Sequence, residues 1–288
     1  MSDSLVPYSA FVEFCIHCAT LALLFYDHVL TLNSEIFFIW RSNARVGKIL
    51  FLFNRYFALA SNVTTIAVPF TTLNNSSCRH YLKWCEVSLA ITELFVIVLM
   101  MLRVYALYNQ SRAALAILCT ASITVCAIGG WITISSRIAA NGKQETANCN
   151  DRGAGLARAW EVLLAMDVLM FIMVLIKGIQ ENGWRGKMRH SLVHCIIRDG
   201  AIYFLVMVAV NLANIMTYYL ADTPWKGFLA RPSANISVLA VSRLMLRLHE
   251  TTNAKTAPNF SFSQKPVSTG IEMEWRREET SVLDDELC

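Results

Sequence analysis

Residues 26–56 read YDHVLTLNSEIFFIWRSNARVGKILFLFNRY, and this stretch decides the fold. It closes one apolar run and opens the next. Between the two sit Asp27, His28, Glu35, Arg41, Arg45, Lys48 and Arg55. Apolar segments on either side of a basic turn describe two membrane helices meeting at a charged interface.

Composition agrees with that reading. The 288 residues are 55% hydrophobic and only 16% charged, whereas soluble domains carry roughly 25% charged residues. Mean hydropathy is +0.44. The missing charge reflects long uncharged runs, which predicts a multi-pass membrane protein. The net charge of +4 is too small to argue for nucleic acid. The opening MSDSLVPYSA lacks the basic region and small-residue cleavage site of a signal peptide, so the first apolar run is expected to stay as a membrane helix.

A spanning helix needs about 20 mostly apolar residues. Seven segments qualify: 9–31, 49–69, 84–108, 113–134, 157–177, 200–221 and 228–247. The fourth is the cleanest, and the first and seventh are the most polar. The third and fourth are joined by so short a link that they are expected to be antiparallel neighbours. No solenoid-type repeat is present.

Lys and Arg in the loops set the orientation. Loop one carries Arg41, Arg45 and Lys48, loop three Arg112, and loop five Lys177, Arg185, Lys187, Arg189 and Arg198. Arg243 and Arg247 precede the tail. The opposite loops hold Arg79, Lys83, Arg137, Lys143, Arg152 and Lys226. The bias predicts an outside N-terminus and a cytoplasmic C-terminus. Overlapping glycosylation acceptors at Asn74 and Asn75 fall in an outer loop, as this orientation requires, while those at Asn62 and Asn235 fall inside helices and are expected to be silent. Cys78 and Cys149 are the cysteines of the predicted outer loops, with Cys85 at the mouth of the third helix. In an oxidising compartment Cys78–Cys149 is the expected disulfide and Cys85–Cys149 the alternative. Residues 1–249 form the predicted seven-helix domain. Residues 250–288 form a polar tail with too little apolar surface to fold alone, read as a disordered cytoplasmic segment.

YDHVLTLNSEIFFIW followed by LFLFNRY resembles the signature of a fungal membrane-protein family defined by an uncharacterised N-terminal domain, the domain of unknown function 6533. LRVYALYNQSR at 102–112 and SRLMLRLHE at 242–250 are similar to later segments of that family. The resemblance is specific over residues 11–60 and looser up to 250. It implies a seven-helix membrane protein and no assigned activity.

Ionisable groups inside a bilayer cost about 2.5–3.5 kcal/mol each on insertion scales, so each needs a partner or a role. One candidate set is Glu13, His17, Glu86, Glu93, Asp167, Asn211, Arg231 and Asn235, with Glu161 and Asn214 nearby in sequence. In the predicted orientation the charged members of this set lie in the outer half, which predicts an acidic, outward-facing cavity for a ligand or a proton. The blander alternative is interhelical hydrogen bonding that only fixes the bundle. A second set is Asp27, His28, Glu35, Arg41, Arg55 and Arg103, expected to clamp the first three helices at the cytoplasmic interface, with Asp27 or Glu35 paired to Arg55. Trp40 and Tyr56 fit an aromatic belt. Cys15-Ile16-His17-Cys18 has no second ligand pair, and His190 and His194 lack an accompanying HExxH. GxSxG, Walker and GxGxxG motifs are absent from the sequence.

The fold expected is all-α, a membrane bundle of seven helices. The function expected is non-enzymatic and receptor-like, without cofactor or metal. The bilayer is its environment, with an extracellular small ligand and an acidic cytoplasmic partner as candidates. A small proton-coupled carrier and a ligand-free structural protein are the competing readings. The expected location is the plasma membrane or an endomembrane. No repeated halves support a carrier. Kinship with G-protein-coupled receptors rests on topology alone, because the sixth segment lacks proline and the seventh lacks NPxxY.

Overall fold

The computed structural model describes residues 5–40, 45–68, 75–141, 155–184, 192–222 and 225–256. These form seven α-helices and, among the described residues, no strand. They are α1 (Leu5–Ser34), α2 (Arg45–Ala67), α3 (Asn75–Leu107), α4 (Arg112–Asn141), α5 (Gly155–Trp184), α6 (Leu192–Leu220) and α7 (Ala230–Thr256). A π-helical segment, Glu35–Trp40, continues α1. Six of the helices contain stretches long and apolar enough to cross a membrane: Tyr8–Trp40, Val46–Ala67, His80–Leu107, Arg112–Ile132, Ala157–Gln180 and Gly200–Leu220. The chain is therefore an integral membrane protein of the all-helical class.

The helices overrun the apolar windows read from sequence. Hydropathy drops at the first charged or amide side chains, but the backbone hydrogen-bond ladder has no reason to stop there. The first helix thus runs past residue 31 into the π segment, which leaves only 41–44 between it and α2. Likewise α3 starts at Asn75 instead of residue 84, so Asn75 and Cys78 belong to its first turn and not to a loop. The last helix continues to Thr256, beyond the expected boundary at 249.

Helices α3 and α7 form the middle of the bundle. The first packs on α2, α4, α5 and α7, the second on α1, α2, α3 and α6. This position explains why α7 is the most polar of the seven. Its Ser233, Ala234, Asn235, Ser237, Val238, Ala240, Val241 and Ser242 are buried against other helices instead of facing lipid. Small side chains allow close backbone approach there, and lipid supplies no hydrophobic drive to replace it. Leu99, Met100 and Val104 of α3 share one core with Val238 and Val241 of α7, Phe51 of α2, Met166 and Met170 of α5 and Met207 of α6. Ile123, Trp131, Ile179 and Leu220 point outward, as lipid-facing positions do.

Asn109 and Gln110 reverse the chain between α3 and α4 in left-handed geometry, with φ of 52° and 58°. The expected antiparallel turn forms. Beyond it α4 packs chiefly on α5 and touches α3 only lightly.

Before α7 the chain turns at Gly227, whose φ is +70°. A Cβ built there would lie 2.3 Å from the Tyr218 ring. Left-handed backbone and close approach both demand glycine. Gly227→Ala is therefore expected to destabilise the protein by about 1–3 kcal/mol, read as a lower thermal midpoint in detergent.

Candidate functional site

Three polar layers are stacked along the bundle. The first is at the end where α1 turns into α2. Arg55 of α2 is wholly buried, and its Nε lies 3.2 Å from Oε2 of Glu35, itself wholly buried. The angle between them makes this an ion pair without a hydrogen bond, and Arg55 Nη1 has no acceptor. Nη2 donates to the carbonyls of Asp27 and His28, at 3.3 and 3.1 Å, and to the Thr31 hydroxyl. The other Glu35 oxygen, Oε1, accepts from Trp40 Nε1 at 3.1 Å and from the Tyr56 hydroxyl at 3.0 Å.

The π segment makes that second contact possible. In α geometry residue i+5 points away from residue i. The wider π turn returns it to the same side, so Trp40 covers Glu35. His28 locks the helix pair, with Nδ1 2.8 Å from the Leu24 carbonyl and Nε2 3.2 Å from that of Arg55. Its ring meets Tyr56 edge-on, with centroids 5.9 Å apart.

Asp27 does not pair with Arg55 through its carboxylate. Its Oδ1 accepts instead from Arg243 Nε of α7 at 2.6 Å. The clamp thus joins α1, α2 and α7, and not the first three helices. Arg103 of α3 stands apart from it, with Nη2 against the Met245 sulfur. Arg41 lies outside the described residues. Sequence reasoning missed Arg243, which it assigned only to the positive-inside count. The available signal was a cation spaced four residues from Arg247 inside an apolar segment.

The second layer is at mid-span. Glu93 stands 13 residues from His80 and 14 from Leu107, the ends of its apolar stretch (93 − 80 and 107 − 93). Asp167 and Asn211 stand near the centres of theirs, Ala157–Gln180 and Gly200–Leu220. All three are buried. Asn211 Nδ2 donates to Asp167 Oδ2 at 2.7 Å, and Asp167 lies within electrostatic reach of Glu93. Glu93 Oε1 and Asn211 Oδ1 have no partner, nor does the amide of Asn214.

The third layer is towards the other end. Asn62 and Asn235 form a reciprocal amide pair, at 2.7 and 3.1 Å. Asn235 Nδ2 also reaches Thr20 Oγ1 at 3.5 Å, so α1, α2 and α7 are tied here as well. Further out, Glu13 and His17 stand 3.9 Å apart on α1. Arg231 Nη2 donates to the Cys85 carbonyl at 2.7 Å, and Glu86 is exposed. The residues expected to line one outward cavity are therefore divided. Glu93, Asp167 and Asn211 are enclosed at mid-span, and Glu13, His17, Glu86 and Arg231 belong to the rim. Asn235 belongs to the amide pair with Asn62, whose sequon alone had drawn notice in the sequence.

Both expected pairings, Cys78–Cys149 and Cys85–Cys149, rest on Cys149. Cys149, Asn74 and the side chains of Asn75 and Cys78 lie outside the described residues. Among the described residues no three His, Cys, Asp or Glu side chains converge as a metal site requires.

Residues 15–60 match the family of unknown function DUF6533. No curated protein and no solved structure matches the chain. The DUF6533 segment supplies Asp27, His28, Thr31, Glu35, Trp40, Arg55 and Tyr56, hence every clamp residue except Arg243.

Breaking a buried pair from one side leaves an uncompensated charge, at a cost of about 3–5 kcal/mol. Glu35→Gln is expected to lose roughly that much stability, and Arg55→Met combined with Glu35→Met to recover most of it. Chemical denaturation in detergent measures both. The His249 imidazole at the same end is held below its ordinary value by burial and by the charge of Arg103. The folded state thus binds fewer protons there than the unfolded chain. Stability should fall as pH drops below about 6.5, and His249→Gln should flatten that slope in melting curves.

Proposed function

We propose that the protein is a non-enzymatic, receptor-like membrane bundle, in which the mid-span acidic layer receives a small ligand from outside and the clamp reports its presence at the cytoplasmic face. One observation carries the reading. Glu93, Asp167 and Asn211 come from three helices into one buried layer, and two of its oxygens have no partner. Unsatisfied polar atoms at membrane depth cost free energy. A ligand donating from an amine or hydroxyl would satisfy the free oxygens. The basic groups around the clamp suit an acidic partner on the cytoplasmic side, where positive loops accumulate.

Helix α3 connects the two regions, since it carries Glu93 and packs along α7, which holds Arg243. Glu93→Gln keeps the shape and removes the ionisable group. In hydrogen–deuterium exchange of the full-length protein, it should speed exchange several-fold in the amides of 26–40 and 243–250. Changes confined to α3, α5 and α6 would show a static layer and sink the relay.

The two carboxyl groups in electrostatic reach also favour a proton-coupled carrier. Vesicles containing the protein and an internal pH dye separate the readings. Proton flux that is lost in Asp167→Asn would move the assignment to a carrier, and absence of flux in wild type keeps the receptor-like one.

A further inference from the structure

At the α1–α2 end a cavity of about 170 Å³ opens between α2, α3, α7 and the π segment. Lys48, Arg103 and His249 line it, over a floor that includes Phe51, Leu102 and Met245. Among the described residues that line the cavity there is no carboxylate. Arg103 is the anomaly. Its Nε is buried with no acceptor, and its Nη2 meets only the Met245 sulfur, a weak acceptor. Arg55 and Arg243 each have a carboxylate, and Arg103 has none among the described residues. Lys48 Nζ donates to the Trp40 carbonyl, which leaves it further N–H groups to offer.

A half-buried guanidinium, an ammonium and an imidazole around one small cavity describe an anion site. Its size narrows the ligand. Clefts for drug-sized molecules run to roughly 300–1,000 Å³, so this one suits a single compact group. A phosphate offers more acceptor oxygens than a carboxylate and more charge, and so matches three donors better. Depth narrows the source. Arg103 lies one turn inside Leu107, where the apolar stretch of α3 ends, or about 6 Å along the helix. That is the level of lipid headgroups. Lys177 over Tyr108 and Arg247 over Tyr203 add cation–aromatic pairs. Such interfacial anchors belong where charged headgroups meet the apolar core.

We propose that Lys48, Arg103 and His249 form a binding site for the phosphate monoester of an anionic phospholipid headgroup, with the apolar floor receiving the adjoining glycerol and upper chain. The test uses the full-length protein in detergent, titrated with short-chain phosphatidic acid, short-chain phosphatidylcholine or inorganic phosphate. Phosphatidic acid should raise the melting temperature saturably, and phosphatidylcholine should not. Arg103→Gln should weaken the response roughly tenfold, as loss of a charge-assisted contact does. Lys48→Gln, at a more exposed position, should weaken it in the same direction and keeps the test valid if Arg103→Gln fails to fold. Lys177→Gln, outside the cavity, should leave it unchanged. Inorganic phosphate acting as strongly as the lipid would uphold the phosphate site and assign it a soluble ligand. Equal responses to phosphatidic acid and phosphatidylcholine, or equal losses in Lys48→Gln and Lys177→Gln, would overturn the proposal.

Discussion

A guanidinium with no exposure to solvent sets the terms for the α1–α2 end of this protein. Arg55 cannot be deprotonated at useful cost, so the surrounding chain has to supply the negative charge and the acceptors. It does so from one helix in three ways. Glu35 brings the charge, the carbonyls of Asp27 and His28 bring acceptors, and Thr31 adds a hydroxyl. Those carbonyls lie in the α-helical part of α1 and accept on a second lone pair, while Glu35 opens the π segment. The irregular segment is therefore part of how the cation is solvated. Trp40 and Tyr56 then seal the carboxylate from the lipid side.

The same logic explains the character of α7. A helix surrounded by helices gains nothing from being oily, because its alternative environment, the lipid, is as apolar as a leucine side chain. What it needs is close approach and matched polar groups. Its serines and alanines provide the first. Asn235 and Arg243 provide the second, one at each end of the seam with α1 and α2. Helix α1 has the opposite character, with Phe25, Val29 and Leu30 exposed to the surroundings while Asp27 and His28 turn inward.

Which parts of this were legible in the sequence follows from what periodicity can encode. Long apolar runs require spanning helices, so the all-helical membrane class was readable, and the charged stretch at 26–56 marked where helices meet. The helix ends were not readable, because the ladder of backbone hydrogen bonds outlasts the apolar composition. Partner choice was only half readable. Spacing says which residues share a face of one helix, but not which helix that face meets. Hence Arg55 stood out, whereas Arg243, whose partner is 216 residues away, did not. Asn62 was masked by its own sequon. The expected outer set is divided for a related reason, because spacing along one helix does not say which residues of other helices share its depth.

The arrangement restricts how one end of the bundle could influence the other. The mid-span acids belong to α3, α5 and α6, and the clamp belongs to α1, α2 and α7. The two groups share no side chain. Their common boundary is the α3–α7 seam, where Leu99, Met100 and Val104 pack in one core with Val238 and Val241. Close-packed cores shift between discrete arrangements more readily than they deform continuously. A displacement of α3 by a mid-span ligand would therefore be felt first along α7. Arg103 sits on that seam against Met245, one turn from Val241 and two residues from the Arg243 that holds Asp27. An anion bound to Arg103 would hold α3 and α7 together at the end where the clamp closes. Occupancy of that cavity and integrity of the clamp should consequently favour the same packing of the seam.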